Sequence, residues 1–311
     1  MKTTFFPKEF LEKYQEILGT DFDSFFEISQ TKLKKSIWVN SLKIQPKELK
    51  KILEHQNWRL KQLTFHLNSF TIISGPQKPG QIEEFAQGLF NLQEVSSMLP
   101  ALVLSPEKNS RVLDCTAAPG NKTLQLACSM NNTGKLAVVE KNNVRAKSLN
   151  FNLKKWNVHN AKVFEIDFLN ANFKEKFDFV LLDAPCSSEG LVRKRKEALK
   201  EWSQELVKRK SKLQKKLIVQ AFNQLKENGT LVYSVCSLSP EECEEVIHHL
   251  LDKQENVKIE KIKIKGIKIR KGLTFYNGKT FEQEIENCAR IYPQDNDSQA
   301  FFMTKIKKTV D

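Results

Sequence analysis

A carboxylate and a thiol follow a short apolar segment in the stretch FDFVLLDAPCSSEG, residues 177–190. Residues 179–182 form an apolar run of strand length, and Pro185, which has no N–H for a sheet ladder, ends it. In an open parallel α/β sheet, ligands bind just beyond the carboxyl ends of the strands. Asp183 and Cys186 are therefore well placed for chemistry, although a half-buried cysteine beside a capping aspartate would produce the same stretch.

The composition is that of a folded protein with room for two domains. The chain has 311 residues, of which 40% are hydrophobic and 28% charged. No apolar run approaches the roughly 18 residues that a membrane-spanning helix needs, and residues 1–15 lack the apolar core of a signal peptide. We therefore expect no membrane association and a cytoplasmic protein with reduced thiols.

The charge indicates a polyanionic partner. The net charge is +13, and the 50 Lys and Arg residues are spread along the chain. Such a surface suits nucleic acid, although a general richness in lysine would look similar. None of the six cysteines forms a C-x-x-C motif, and the five histidines show no ligand spacing, so we expect no metal.

Residues 1–90 are expected to form a small, basic α+β module. This module carries no catalytic constellation, and we interpret it as a substrate-binding module, with a purely stabilising domain as the alternative. The predicted elements are a helix over residues 7–18, a strand over 36–44, a helix over 47–54, and strands over 58–65 and 70–73.

From Arg111 onward, strands alternate with helices, which is typical of a parallel sheet. We assign residues 91–311 to this second, α/β domain. Its predicted strands cover residues 111–114, 136–140, 161–166, 177–183, 229–234 and 300–306. Its predicted helices cover residues 122–129, 143–156, 208–226 and 240–251, the last capped by Ser239. Residues 256–270 alternate Ile or Val with Lys in part, which indicates one apolar and one basic face.

Three successive predicted strands end in the acids Asp114, Glu140 and Asp167. The first is followed by the small loop DCTAAPGNKT, which lets a ligand approach the backbone. An acid after the second strand can bind ribose hydroxyls. Because the pyrophosphate pattern G-x-G-x-x-G and a Walker lysine are missing, a nucleoside ligand without phosphates fits better, and S-adenosylmethionine is the obvious one.

The chain resembles the NOL/Sun (RsmB-like) family of RNA cytosine-5 methyltransferases in VLDCTAAPGNKTLQLA, FDFVLLDAPCSSEGL and GTLVYSVCSLSPEECEEVI. NLQEVSSMLP and ARIYPQDNDSQAFFM are also similar, so the resemblance covers residues 85–307, and more weakly IWVNSLKI. The pair of cysteines in D-A-P-C and Y-S-x-C-S contexts is highly specific. The resemblance implies a Rossmann-like class I methyltransferase sheet with an N-terminal α+β RNA-binding module, and its size is that of compact archaeal tRNA-modifying members.

The resemblance also implies roles for individual residues. Cys236 would be the nucleophile, Cys186 would assist product release, and Asp183 would lie near both the cofactor and the target base. The other residues implied to bind S-adenosylmethionine are Ala117, Ala118, Pro119, Gly120 and Lys122 on its methionine side, Glu140 at the ribose hydroxyls, Arg145 in the same pocket, and Asp167 at the adenine amino group.

Two thiols suit this reaction. A thiolate that adds to C6 of cytosine makes C5 enamine-like, so C5 can attack a methyl sulfonium. A base must then remove the C5 proton so that Cys236 can leave. Nearby cations favour the thiolate, and Lys122 and Arg193 are the sources of positive potential that we predict.

Four positions depart from the family pattern without removing the thiols or Asp183. Asn121 replaces a glycine, Val235 a threonine, and Ala300 a glycine, while Cys243 stands where we expect a helix-surface asparagine. These departures motivate one alternative, a non-catalytic RNA-binding protein that keeps the fold.

Further alternatives concern the substrate. A DNA cytosine methyltransferase would use Cys186, not Cys236, as its nucleophile. Within RNA we favour tRNA over ribosomal RNA because the chain is compact. We expect the basic stretch at residues 193–196 to contact the RNA backbone, with a solvated turn as the alternative, and we expect a monomer.

Overall fold

The structure is a computed structural model that describes residues 6–310. Its first part contains four helices and a small sheet. The helices are α1 (Lys8–Leu18), α2 (Phe22–Gln30), α3 (Pro46–His55) and α4 (Glu83–Ala86), and the strands are β1 (Ser36–Val39), β2 (Arg59–Gln62), β3 (Ser69–Ser74) and β4 (Phe90–Leu92). The four strands pair antiparallel in the order β2-β3-β1-β4. The predicted helices and strands of this region are present; β1 and β2 are shorter than predicted, and β3 is longer by one residue at each end.

The second part is a larger mixed sheet with helices. Its helices are α5 (Val95–Leu104), α6 (Asn121–Ser129), α7 (Asn143–Lys155), α8 (Gln204–Asn223), α9 (Glu244–Lys253) and α10 (Pro293–Asn296). Its first strands are β5 (Arg111–Asp114), β6 (Lys135–Val139), β7 (Ala161–Phe164), β8 (Phe177–Asp183) and β9 (Leu225–Val235). The remaining strands are β10 (Val257–Glu260), β11 (Arg270–Lys271), β12 (Phe275–Tyr276), β13 (Lys279–Thr280), β14 (Ala289–Ile291) and β15 (Phe301–Lys308).

The large sheet has a parallel half and an antiparallel half. Strands β7, β6, β5, β8 and β9 lie side by side and run parallel. Strand β15 joins β9 antiparallel, and β14, β11 and β10 complete this edge. The alternation of strands and helices therefore predicted the parallel sheet correctly, and the α/β fold class is confirmed.

Apolar side chains on both faces explain why the central strands are buried. Val180 and Leu182 of β8 belong to one core cluster, together with Ile218 and Phe222 of α8. Leu181, on the opposite face of β8, belongs to a second cluster. Because successive side chains of a strand point to opposite faces, helices must cover both sides of this sheet.

Helices α1 and α2 pack against the second part of the chain. Phe10 and Tyr14 of α1 are fully buried and share a cluster with Trp202 and Leu238. The Phe10 and Trp202 rings meet edge to face, with their centroids 5.4 Å apart. The N-terminal helices therefore rest on the loops that follow the parallel strands.

Two local predictions were wrong. Helix α9 begins at Glu244 and not at Pro240, because residues 239–243 form a hydrogen-bonded turn in which the Tyr233 hydroxyl donates to the Glu242 carbonyl over 2.6 Å. Cys243 lies at the end of this turn and is fully buried, so it does not occupy a helix surface. The alternation predicted for residues 256–270 is confirmed on β10 and the loop after it, since Ile259 and Ile262 are buried while the lysines of this segment are exposed.

A helix that crosses a membrane must be both long and predominantly apolar. Within residues 6–310, no helix combines the length and the apolar character that crossing a membrane requires.

Candidate active site

A cavity of about 220 Å³ opens at the carboxyl ends of the parallel strands. Parallel strands end at one edge of a sheet, so the residues that follow them converge there. Seven of the predicted site residues line this cavity together, although they come from distant parts of the sequence: Ala118, Glu140, Arg145, Asp167, Asp183, Cys186 and Cys236.

The two thiols meet at this edge. Strands β8 and β9 are parallel neighbours with Asp183 opposite Ser234, so the chain leaves both strands at the same level. The Sγ atoms of Cys186 and Cys236 lie 3.0 Å apart, and both residues are half-buried. The hydrogen bond with Cys236, together with burial, holds the pKa of Cys186 well above its ordinary value. Cys186 therefore keeps its proton at neutral pH.

The Asp183 carboxylate is fixed by two side chains. Lys122 Nζ donates to Oδ2 over 2.7 Å, and the Ser234 hydroxyl donates to Oδ1 over 2.7 Å. Lys122 also donates to the hydroxyl of Ser97 over 3.1 Å. The positive charge of the Lys122 ammonium therefore balances the negative charge of Asp183. Lys122 itself does not line the cavity.

A second carboxylate, Glu140, directly follows β6. It is buried, its Oε1 accepts the Asn142 N–H over 2.9 Å, and Arg145 Nη1 lies 3.5 Å from its Oε2. Arg145 also donates to the Ala118 carbonyl. Arg145 thus joins Glu140 to the loop after β5, as expected for residues that share a pocket.

The third strand end provides an acid and an apolar surface. Asp167 Oδ1 accepts the Leu169 N–H over 3.1 Å, and Lys141 Nζ lies 3.7 Å from Oδ2. Beside it, Ile166 is 39% exposed, which is unusual for a large apolar side chain, and both residues line the cavity with Phe168. This end of the cavity offers a carboxylate next to an apolar wall.

The loop after β5 contributes Thr116 and Ala118 to the wall of the cavity. Ala118 lines the cavity, whereas Ala117, Pro119 and Gly120 are not among its lining residues. Gly120 has φ +106°, and a Cβ there would lie 2.7 Å from the Leu149 side chain. A side chain at this position would therefore be strained and crowded.

Asp114, the first of the three predicted strand-end acids, does not line the cavity. It is buried, accepts the Thr123 hydroxyl over 2.7 Å, and burial raises its pKa to about 6. Its partner lies on α6, so Asp114 ties that helix to β5.

The prediction that residues 193–196 contact the RNA backbone does not hold for every residue of this basic stretch. Arg193 is buried and donates to the Ser298 carbonyl over 3.0 Å, the Thr31 hydroxyl over 3.0 Å and Asp297 over 2.7 Å. Arg193 as an RNA contact is therefore a wrong prediction, since its guanidinium has protein partners. Lys194 and Arg195 are exposed, and the Lys196 side chain lies outside the described part of the structure.

Sequence reasoning missed two buried carboxylates beside the thiols, Glu189 and Glu242. Each accepts hydrogen bonds from the loop that carries the other thiol. Their partners are 48 to 55 positions away in the chain. Nothing in the local pattern S-S-E-G or P-E-E indicates such pairing.

The remaining cysteines have other surroundings. Cys115, Cys243 and Cys288 are buried, and burial raises the pKa of each thiol. The Sγ of the half-buried Cys128 lies 3.6 Å from Asn40 Oδ1. Cys115 additionally contributes to the cavity wall.

One group of three potential metal ligands occurs away from the cavity. His248, Asp252 and Glu282 place one ligand atom each within 4.8 Å of one another. The His248 ring nitrogen Nδ1 lies 2.8 Å from Glu282 Oε2. This hydrogen bond accounts for the geometry of the group.

Comparison with known proteins extends over nearly the whole chain. Residues 101–307 match the family described as 16S rRNA methyltransferase RsmB/F. Residues 6–95 match the N-terminal domain of 16S rRNA methyltransferase RsmF.

Individual relatives and a solved structure agree with these matches. The chain is 39% identical over 303 residues to a tRNA (cytosine(49)-C(5))-methyltransferase of Pyrococcus abyssi, covering 97% of this chain and 96% of the relative. It is 38% identical over 313 residues to the ribosomal RNA small subunit methyltransferase F of Vibrio vulnificus, covering 98% of this chain but only 64% of that relative. A crystal structure of a methyltransferase homolog from Pyrococcus horikoshii superimposes with a TM-score of 0.87 at 31% identity, covering 97% of this chain and 95% of that one.

These matches confirm the Rossmann-like methyltransferase fold and the resemblance seen in the sequence. Since the match at residues 101–307 covers more than half of the chain, the chain belongs to the RsmB/F family of methyltransferases.

Proposed function

We propose that this protein transfers a methyl group from S-adenosylmethionine to C5 of cytosine in RNA, with tRNA as the substrate that we favour. The observation that carries the proposal is the pair of Cys186 and Cys236 sulfur atoms, 3.0 Å apart, beside the fixed carboxylate of Asp183. Two thiols and a carboxylate around one opening meet the needs of addition to a pyrimidine ring followed by elimination.

Cys236 is the proposed nucleophile. The Cys236 thiolate would add to C6 of cytosine while the C5=C6 double bond opens, and C5 could then take up the electrophilic methyl group that bound S-adenosylmethionine would supply. Loss of the C5 proton to a base then expels Cys236. Cys186, which keeps its own proton, is placed to assist this release by hydrogen-bonding the departing sulfur.

Asp183 is proposed to orient the target base. One carboxylate oxygen is hydrogen-bonded to Lys122 and the other to Ser234, so the group is held in one orientation. A carboxylate that retains lone pairs can still accept a hydrogen bond from the cytosine N4 amino group. The base must leave any stacked helix to reach it.

The residues at the other end of the cavity fit S-adenosylmethionine. The Glu140 carboxylate suits a pair of ribose hydroxyls, and the exposed Ile166 beside Asp167 suits an adenine face and its amino group. Arg145 would hold Glu140 in place, Ala118 of the loop at residues 117–120 would face the methionine end, and Lys122 would act through its hydrogen bond to Asp183. When bound, this cofactor would supply an electrophilic methyl group.

RNA is proposed to reach the thiols across a basic groove of about 300 Å³. The groove lies between the chain leading into β1 and the loop that follows Cys186. Its lining includes Lys32, Lys34, Lys35 and Lys194, which are exposed. Lysines of this kind suit phosphate contacts, so we propose that residues 1–90 bind RNA together with Lys194.

The comparisons favour tRNA among RNA substrates. The relative from Pyrococcus abyssi, named for a tRNA cytosine, covers this chain almost end to end, whereas the chain spans 64% of the ribosomal RNA enzyme from Vibrio vulnificus. Ribosomal RNA is the second candidate, because residues 6–95 match an N-terminal domain named for a 16S rRNA enzyme.

One experiment separates these substrates. The purified protein and S-adenosylmethionine are incubated with tRNA, with ribosomal RNA of the small subunit and with DNA, and bisulfite sequencing locates any 5-methylcytosine. Methylation of a tRNA cytosine supports the proposal, and methylation of ribosomal RNA alone supports the second candidate. Binding of RNA without methylation of any cytosine would instead indicate a non-catalytic protein.

A further inference from the structure

Two loops carry the thiols, and each contains a glutamate whose carboxylate accepts hydrogen bonds from the other loop. We call residues 184–191, which follow β8, the first thiol loop, and residues 236–243, which follow β9, the second thiol loop. Glu189 belongs to the first loop and Glu242 to the second. Both side chains are fully or almost fully buried, at 1% and 0% exposure.

Glu189 receives hydrogen bonds from three consecutive residues of the second thiol loop. Its Oε1 accepts the Ser237 hydroxyl over 2.9 Å, the Leu238 N–H over 3.3 Å and the Ser239 N–H over 2.8 Å. Ser237 directly follows Cys236. The backbone position of Cys236 is therefore tied to a side chain of the opposite loop.

Glu189 is anchored from two further elements. The Tyr14 hydroxyl of α1 donates to Oε1 over 2.6 Å, and the Trp202 indole N–H donates to Oε2 over 2.7 Å. Although burial by itself would raise the pKa of Glu189, the charge of Lys13 and these hydrogen bonds outweigh it, so the pKa lies below its ordinary value. Glu189 is thus a charged acceptor on which five donors converge.

Glu242 makes the reciprocal contact. Its Oε1 accepts the Ser187 N–H over 2.8 Å and Gln214 Nε2 over 3.0 Å, and its Oε2 lies 2.5 Å from the Ser187 hydroxyl. Ser187 directly follows Cys186. Each thiol therefore has, as its next neighbour in sequence, a serine bonded to the carboxylate of the opposite loop.

A close backbone approach joins the same two loops. The Gly190 N–H donates to the Cys236 carbonyl over 3.0 Å. A Cβ on Gly190 would lie 2.9 Å from the Cys236 carbonyl oxygen and 2.4 Å from that of Ala300. The loops are packed too tightly here for any side chain.

We propose that Glu189 and Glu242 are positioning residues that lock the two thiol loops in register, so that the sulfur of Cys186 stays within hydrogen-bonding reach of the sulfur of Cys236. This inference rests on the proposed function for its purpose, while the lock itself is a property of the folded chain. Neither carboxylate is required to touch the substrate. Their role is exerted through the serines that follow the thiols.

The pKa values of the two carboxylates of the lock, Glu189 and Glu242, are shifted in opposite directions. Titratable groups surround Glu242: Glu189 and Cys186 on the first loop, Cys243 beside it in the chain, and Tyr233 on β9. Burial, and then the negative charge of Glu189, raise the pKa of Glu242 to about 7. One carboxylate of the lock is therefore charged and the other is neutral at acidic pH.

The first test measures the thiols and does not depend on methyl transfer. Diamide accepts two electrons and two protons from a dithiol, so it converts adjacent Cys186 and Cys236 thiols into a disulfide that peptide mass spectrometry identifies. We expect rapid formation of this disulfide in the unchanged protein. In Glu189→Gln, the charged acceptor is lost, and the new amide N–H groups face the donating hydrogen of Trp202 or Tyr14, with which they cannot form a hydrogen bond. We therefore expect the rate of disulfide formation to fall by about tenfold or more.

Milder variants keep the test decisive if Glu189→Gln does not fold. Ser237→Ala and Ser187→Ala each remove one hydroxyl donor of the lock and are expected to slow the disulfide several-fold. Asp178→Asn, which removes a carboxylate at the far end of β8, is the matched control and should form the disulfide at the unchanged rate. Thermal unfolding confirms that each variant is folded. Unchanged rates in folded Glu189→Gln, or in both serine variants, would overturn the proposal.

The second test uses turnover. Glu189→Gln is expected to lower kcat for RNA methylation by about 10- to 100-fold while leaving KM for S-adenosylmethionine unchanged, because Glu140 and Asp167, proposed for the ribose and the adenine, follow β6 and β7 and not the strands that carry the thiol loops. A raised KM with an unchanged kcat would contradict the positioning role. If the unchanged protein methylates no RNA, the proposed function fails, and the disulfide measurement still decides whether the lock exists.

Discussion

The sulfur of Cys186 lies 3.0 Å from that of Cys236, although 50 positions separate the two residues in the chain. The pairing of β8 with β9 accounts for this, since both strands deliver their loops to the same edge of the sheet. Within the pair, Cys186 is the thiol whose pKa is held high. The Cys186 thiol therefore keeps its proton before any substrate binds.

Cofactor affinity is predicted to depend on Glu140. Replacing it with alanine removes the carboxylate proposed for the ribose hydroxyls, and loss of hydrogen bonds to a charged group should weaken S-adenosylmethionine binding by about 10- to 100-fold. Isothermal titration calorimetry measures this change. Glu165→Ala, an exposed acid on the stretch after β7 that does not line the cavity, is the matched control. Equal affinities for both variants would place the ribose elsewhere.

Arg193 is predicted to be structural, and Lys194 to bind RNA. Arg193→Ala removes a buried guanidinium with three partners and should cost about 2–3 kcal/mol of unfolding free energy. Lys194→Ala should leave stability unchanged and weaken RNA binding, with a shallower dependence on salt because one phosphate contact is lost. Urea unfolding and RNA titrations at several salt concentrations check both. The account of this segment is wrong if Arg193→Ala stays as stable as the parent protein.

The stability of the protein is predicted to depend on pH through Glu242. Its pKa rises from an ordinary value near 4.5 to about 7 on folding, so folding favours the protonated form. This contribution is fully present below pH 4.5 and is lost as pH rises toward and beyond 7. A Glu242→Gln variant cannot ionise at this position, so its stability relative to the parent protein should increase between pH 5 and pH 8, by up to about 3 kcal/mol.

Urea unfolding of both proteins at several pH values measures this difference, and the comparison between them cancels the titration of groups that do not interact with Glu242. A constant difference from pH 5 to pH 8 would show that Glu242 does not change its protonation in this range.

Most of the strands and helices could be predicted because their signals are local. Val180 to Leu182 form a buried apolar run that Pro185 must end, and the strand is found over residues 177–183 as predicted. Once the parallel sheet is inferred, the convergence of Glu140, Asp183 and Cys236 follows from the geometry of strand ends. This part of the candidate site depends on topology alone.

What could not be predicted depends on contacts between distant positions. Arg193 reads as a solvent-exposed cation, yet its partners Thr31, Asp297 and Ser298 lie more than 100 positions away and bury it. Tyr14 reaches Glu189 across 175 positions. Such pairings arise from the packing of helix α1 on the thiol loops, for which the sequence provides no local signal.

The central claim is that Cys236 forms the bond to the base and that Cys186 assists its release. The direct measurement compares Cys236→Ala with Cys186→Ala after incubation with substrate RNA and S-adenosylmethionine, using denaturing gel electrophoresis to detect a covalent protein–RNA adduct. We expect Cys186→Ala to accumulate the adduct and Cys236→Ala to form neither adduct nor 5-methylcytosine. Near-normal methylation by Cys236→Ala, or an adduct that persists in Cys236→Ala and disappears in Cys186→Ala, would contradict the account.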